Sequence, residues 1–179
     1  MEPLVEVNVT RLGLDGSTNT YVVILREKGG ERILPIWIGQ PEAESILLEI
    51  NQVRKERPLT HDLCKSLIVG LGATLQRVNI TRVENRTYFA ELHLVRDGQR
   101  YQVDARPSDS IAIALRTVSP IYATESLLID PPDEDDGDDE EETVIPPAEL
   151  SRSTEEMSAE QLKQYLASLR PEDFGKFNP

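Results

Sequence analysis

The residues with the most chemistry to offer stand where one local pattern gives way to another. Glu42 and Glu44 follow Pro41 at the start of one helical pattern, His61 and Asp62 open a second, and Asp104, Arg106, Ser108 and Asp109 lead into a third. Phosphodiester hydrolysis needs a divalent cation on hard oxygen ligands, an activated water, and positive groups on the phosphate. Glu42, Asp104 and Asp109 can supply oxygens to Mg²⁺ or Mn²⁺. Arg54, Lys55, Arg57 and Arg106 can hold phosphate, arginine bidentately, with Ser108 beside them. Imidazole exchanges protons near neutral pH, which suits His61 to proton transfer. Each group also has a structural reading. Acids in a first helical turn complement the helix dipole. Arg54, Lys55 and Arg57 can be a solvated loop, and Asp104 can hold Arg106 or cap a turn. Trp37 is expected in the core rather than as a stacking platform.

Other chemistries find no support. The chain has no P-loop, dinucleotide-binding glycine pattern, nucleophile elbow or His-Glu-x-x-His, so no organic cofactor is expected. The single cysteine, Cys64, excludes an internal disulfide and is expected as a small core residue. The first ten residues lack the basic and apolar regions of a signal peptide. No apolar run approaches the roughly 20 residues that span a bilayer. A cytoplasmic protein without a membrane partner is expected. The net charge of −13 is unevenly spread: residues 1–124 hold 15 acids and 15 bases, whereas residues 125–179 hold 17 acids and 4 bases. The body is therefore neutral, neither repelled by nucleic acid nor built to coat it.

The elements that must position these groups follow from periodicity. Val5, Val7 and Val9 alternate with polar residues, as in a half-buried strand. Tyr21–Leu25 is continuously apolar and is expected as a strand covered on both faces. Gly29-Gly30 turns into a strand at Ile33–Ile38, which Pro35 places at an edge or a bulge. A helix opened by Pro41 carries Ala43, Ile46, Leu47, Ile50 and Val53. A second, capped by Thr60, is expected to bury Leu63, Leu67 and Leu71 and to end at Gly70 and Gly72. Strands return with Val78 and Ile80, then Tyr88, Ala90, Leu92 and Leu94, then a hairpin at Asp97-Gly98 into Tyr101, Val103 and Ala105. A third helix, capped by Ser108, carries Ile111, Ala114, Leu115 and Val118. Pro120 ends it before a short strand at Ile121–Ala123. Thr20-Tyr21 laid over Thr87-Tyr88 aligns the two halves and sets Glu42 against Asp109, at an offset of 67 residues. The fold expected is α+β: a mixed or antiparallel sheet with helices packed on it, built from pseudo-duplicated β-β-β-α units.

The organisation predicted is a domain at 1–128, an acidic disordered linker at 129–157, a short amphipathic helix at 158–170 and a tail at 171–179. The run Asp133–Glu142 repels itself and has nothing to bury. Ser158 and Gln161 have capping-box spacing before Leu162, Tyr165, Leu166 and Leu169. So short a helix is marginal alone: it is expected to dock on this body, on a sister subunit or on another protein, or to stay frayed.

Three stretches together resemble a known family: Leu34-Pro35-Ile36-Trp37-Ile38-Gly39 followed by Glu42-Ala43, Arg57-Pro58-Leu59-Thr60-His61-Asp62-Leu63, and Asp104 through Ala112. In this order and spacing they are similar to the bifunctional nuclease domain, over about residues 4–128. The acidic C-terminal segment looks like the tails of bacterial members; the helical interaction motif of plant members is replaced by an acidic linker and a different short helix. The resemblance implies a mixed-sheet α+β domain, a homo-oligomer (dimer or higher), and nuclease activity on DNA and RNA. It marks Glu42, His61, Asp62, Asp104, Arg106 and Asp109 as matched positions. The leading expectation is a nuclease of low sequence specificity with Glu42, His61, Asp62, Asp104 and Asp109 catalytic. Its rival is a non-enzymatic oligomeric module whose acidic tail and terminal helix recruit a partner.

Overall fold

The computed structural model describes residues 2–16 and 18–131, and seven strands and three α-helices organise these described residues. The expected linker beyond residue 131, the helix at 158–170 and the tail at 171–179 lie outside the described residues. Alternating apolar positions build β1 (Leu4–Asp15), β2 (Thr20–Glu27) and β3 (Ile33–Ile38), followed by α1 (Gln40–Ile50) and α2 (Thr60–Gly70). The second half gives β4 (Thr74–Glu84), β5 (Thr87–Arg96), β6 (Gln99–Ala105), α3 (Pro107–Thr117) and β7 (Ile121–Thr124).

One sheet holds every strand, in the order β3-β2-β1-β7-β4-β5-β6. All neighbours are antiparallel except β7 and β4. This is the expected mixed α+β sheet, and its order is symmetric about β7. The units β1-β2-β3-α1 and β4-β5-β6-α3 run outward from the centre, and the four-residue β7 joins them. The helices lie on one face. There Val7, Val23, Leu25, Val78, Ile80 and Ala90 pack with Ala43, Ile46, Ile111, Ala112 and Ala114, all essentially without solvent contact. The other face is more open and mixed in character, with Val22, Ile24 and Trp37 at one end and Glu91, His93 and Asp104 at the other.

Pro35 lies on the edge strand β3, where its missing N–H is harmless. Asp97 and Gly98 both have positive φ (51° and 75°), the geometry that favours an Asp-Gly hairpin. Bonding continues to Ile129, which exchanges backbone hydrogen bonds with Ile33.

Several expectations are corrected. In β2, Val23 and Leu25 are buried while Val22 and Ile24 are only half-buried and Arg26 is exposed, so the strand is covered on one face rather than two. Trp37 is 52% exposed and donates its indole N–H to Asp15, because residue 37 faces away from the helices. α2 turns Cys64 and Ile68 inward and leaves Leu63, Leu67 and Leu71 exposed at 53–62%. Its N-cap is Leu59 rather than Thr60, and that of α3 is Arg106 rather than Ser108. Ile50 is exposed at the end of α1, with Val53 beyond it. Val118 does not extend the α3 stripe: it is left-handed (φ 54°) and 93% exposed at the C-cap.

Candidate active site

The three helices begin alike. The N-caps Gly39, Leu59 and Arg106 offer no side-chain oxygen to the first turn. Each helix instead has an acid three residues on: Glu42, Asp62 and Asp109. Such acids complement unpaired backbone N–H groups and the positive helix end. Asp62 does so directly, accepting a hydrogen bond from Leu59 N–H at 2.9 Å. Glu42 and Asp109, the pair related by the 67-residue offset, are drawn together by Arg106.

Arg106 donates from Nε to Asp109 Oδ2 (2.8 Å) and from Nη2 to Asp109 Oδ1 (3.1 Å), and Nη2 also lies 2.8 Å from Glu42 Oε1. Guanidinium has five N–H bonds. Three are committed to these carboxylates, and both on Nη1 remain for a ligand. Gly39 makes room for this arrangement, since a Cβ there would lie 2.5 Å from Glu42 Oε2. Asp109 also meets His61, whose Nε2 is 3.1 Å from Asp109 Oδ1 and whose Nδ1 is 2.7 Å from Ser45 Oγ. An ionised carboxylate only accepts, so neutral His61 carries its proton on Nε2 and accepts the Ser45 hydroxyl at Nδ1.

These groups line a cleft of about 360 Å³ at the helix starts, together with Pro41, Glu44, Leu48, Leu59 and Thr60. An adjoining cleft of about 350 Å³ shares Leu48 and Leu59 and is lined by Arg54, Lys55, Lys65 and Asp62. Burial by itself pushes the Asp109 pKa up, but hydrogen bonds from Arg106 and His61 outweigh it and hold the carboxyl below its usual range. The two carboxylates in turn raise the Arg106 pKa, Asp109 first and Glu42 second, against the opposing effect of burial. At Asp62, burial is outweighed by Arg116 and by Leu59 N–H, and the pKa is again lowered.

Arg116 fixes the relative placement of the helices. It is buried in α3, donates to Asp62 Oδ1 of α2 (2.6 Å), to the Ser45 carbonyl of α1 (3.2 Å) and to Ala112 of its own helix (2.9 Å).

Of the residues expected at the site, Glu42, His61, Arg106 and Asp109 meet in one cleft. Asp62 is absorbed by Arg116 and its own helix start, and faces the adjoining cleft. Arg54 and Lys55 line that second cleft, and Arg57 lines neither. Ser108 is buried in the first turn of α3. Asp104 stands apart: it is exposed and pairs with Glu91 across β5 and β6. Its neighbours Val103 and Ala105 oppose the buried Leu92 and Ala90 on the helix side, so alternation places Asp104 on the other face. Glu42, Asp104 and Asp109 therefore do not gather as a ligand set for one cation, and no cluster of three His, Cys, Asp or Glu suited to a metal occurs among the described residues. Ser45 and Arg116 were not singled out from the sequence.

A mixed-sheet α+β domain with an acid–imidazole–guanidinium cleft at its helix starts is the class that fold and site define. The chain belongs to the bifunctional nuclease domain family, whose description matches residues 23–132. It is 42% identical over 169 residues to an uncharacterized protein of Mycobacterium tuberculosis (strain ATCC 25618 / H37Rv), covering 94% of this chain and 97% of that one. It is 32% identical over 109 residues to bifunctional nuclease 2 of Oryza sativa subsp. japonica, covering 59% of this chain and 34% of the plant protein. With bifunctional nuclease 2 of Arabidopsis thaliana it shares 29% identity over 112 residues, covering 61% and 34%. The chain thus spans about a third of each plant protein. No helix among the described residues is long and apolar enough to cross a membrane.

Proposed function

We propose that this protein is a cytoplasmic nuclease that hydrolyses phosphodiester bonds in DNA and RNA with low sequence specificity. The observation that carries the reading is the convergence of His61, Asp109, Arg106 and Glu42 in one cleft, in a chain of the bifunctional nuclease family. Arg106 is held from behind by two carboxylates and offers its Nη1 hydrogens to a phosphate oxygen. His61, oriented by Asp109, moves the proton. Arg54 and Lys55 in the adjoining cleft take the continuing backbone.

The main cleft sets Glu42, Glu44 and Asp109 against Arg106, an excess of two negative charges. This favours Mg²⁺ or Mn²⁺ entering with the substrate, and no ligand trio is assigned to it. The test is cleavage of plasmid DNA and single-stranded RNA with Mg²⁺, Mn²⁺ or EDTA, beside a folded His61→Ala protein. Cleavage should fall by about 100-fold or more in the variant, in line with the loss of a proton-transfer group. Equal cleavage by both proteins would remove His61 and this cleft from the reaction.

The non-enzymatic alternative has its own support in the exposed apolar stripe of α2, and both readings include a homo-oligomer. Tyr101 and Val103 of β6 occupy the places of Leu34 and Ile36 of β3 at the 67-residue offset. The β3 pair is 1% and 3% exposed, the β6 pair 46% and 42%. A second copy, laying its α2 stripe over this bare strand, completes the layer. The C-terminal segment remains a candidate for docking a protein partner.

A further inference from the structure

Resting on the same cleft, we infer that Ser45 is a nucleophile and that the reaction passes through a phosphoserine ester. Both imidazole nitrogens of His61 are engaged: Nε2 faces Asp109 at 3.1 Å and Nδ1 faces Ser45 Oγ at 2.7 Å. The His61 side chain is only 12% exposed. A water in the cleft therefore has no open nitrogen to which it can give a proton. The hydroxyl that His61 is placed to deprotonate is that of Ser45, and Ser45 lines the cleft. Hydroxyl, imidazole and carboxylate thus stand in hydrogen-bonded sequence, the arrangement that activates serine in acyl transfer, where it is recognised by geometry rather than by chain order.

Serines inside helices often bond back to the carbonyl four residues earlier. The Ser45 hydroxyl bonds to His61 instead. Its position is set from two sides, by that bond and by Arg116 Nη2 on its own carbonyl at 3.2 Å. Arg106, bound to the same Asp109, also lines the cleft, and its two uncommitted N–H groups are free to take phosphoryl oxygens there.

The step balances. Ser45 Oγ bonds to phosphorus as the P–O bond to the leaving oxygen breaks. The Ser45 proton passes to His61 Nδ1 and from there to the leaving oxygen. Water then attacks the phosphoserine ester, restoring the Ser45 hydroxyl and releasing the phosphorylated end.

A fluorophosphonate reagent tests this on the full-length protein without requiring nucleic-acid cleavage. Attack by Ser45 expels fluoride and leaves a stable adduct. The reagent is uncharged, so the acid excess of the cleft does not oppose its entry. The expected result is a single adduct on the Ser45 peptide by mass spectrometry, absent in Ser45→Ala and formed at least about tenfold more slowly in His61→Asn. If His61→Asn does not fold, Asp109→Asn makes the same comparison. A folded protein with no adduct at Ser45, or an adduct whose rate ignores both variants, overturns the proposal. An adduct at Ser45 in a protein that cleaves no nucleic acid keeps the nucleophile and ends the nuclease reading. Cleavage without any adduct does the reverse.

Discussion

At Gly39 the constraint is a neighbour rather than a dihedral angle. Its φ of −74° suits any residue, but an added Cβ would lie 2.5 Å from Glu42 Oε2. That oxygen ends a flexible side chain, so Gly39→Ala should shift Glu42 off Arg106 at a stability cost below about 1 kcal/mol. Thermal unfolding should be nearly unchanged while phosphodiester cleavage falls; unchanged cleavage would show that Glu42 need not sit on Arg106. The acids of the helix starts also predict a pH dependence. Asp62 and Asp109 both have lowered pKa values in the folded protein. Their stabilisation is complete above the unfolded value of about 4 and is lost as pH falls through the lower folded values. Urea midpoints followed from pH 7 to pH 3 should drop in that acid range, with a shallower drop in Asp62→Asn. An equal drop in the variant would remove Asp62 as a source. At this scale the sequence showed Glu42, His61, Arg106 and Asp109, because charged groups beside a helix-opening proline or cap stand out. Ser45 gave no signal: a serine inside a helix gains meaning only from an imidazole 16 residues away.

The same division between local and tertiary information runs through the elements. Strands with one buried face announce themselves by alternation, and the hairpin at Asp97-Gly98 by its turn chemistry, so the sheet's composition was legible. The orientation of α2 was not. Its sequence carries two apolar rows, Leu63-Leu67-Leu71 and Cys64-Ile68, and the longer was expected to be buried. Asp62 decides otherwise, because its bond to Arg116 ties the helix start to α3 and turns Cys64 and Ile68 inward. The row left outside predicts self-association. Leu67→Glu puts a charge where a second copy would remove it from water, a penalty of several kcal/mol if the carboxylate stays ionised. Sedimentation should find an oligomer for the unaltered chain and a monomer of unchanged secondary structure for the variant. A monomeric unaltered chain would end the β6–α2 pairing, and with it the use of this row between copies.

On the scale of the molecule, two features no single element contains govern what the cleft can bind. The first is the symmetric sheet. Its shortest strand, β7, lies between β1 and β4 and pairs with both, and the two outward-running units thereby deliver α1 and α3 to a shared starting point. The second is the separation of charge. Residues 1–124 are neutral and residues 125–179 carry the whole excess of 13 negative charges. A neutral body gains little long-range attraction for a polyanion, and the acids that follow it repel one wherever the chain carries them. Replacing the nine acids between Asp133 and Glu142 by their amides lowers the net charge from −13 to −4 (13 − 9 = 4) without shortening the chain. Screening confines such repulsion to about 10 Å at 0.1 M salt and about 30 Å at 0.01 M. The substituted protein should therefore bind a short single-stranded oligonucleotide severalfold more tightly near 0.01 M salt, with the gain shrinking towards nothing by about 0.3 M. Equal affinity at the lowest salt would mean that the acidic run does not oppose nucleic acid, and that binding is set by Arg54, Lys55 and Arg106 alone. A gain that persists at high salt would point instead to direct occupation of a basic surface by the acidic run, a contact too close to be screened.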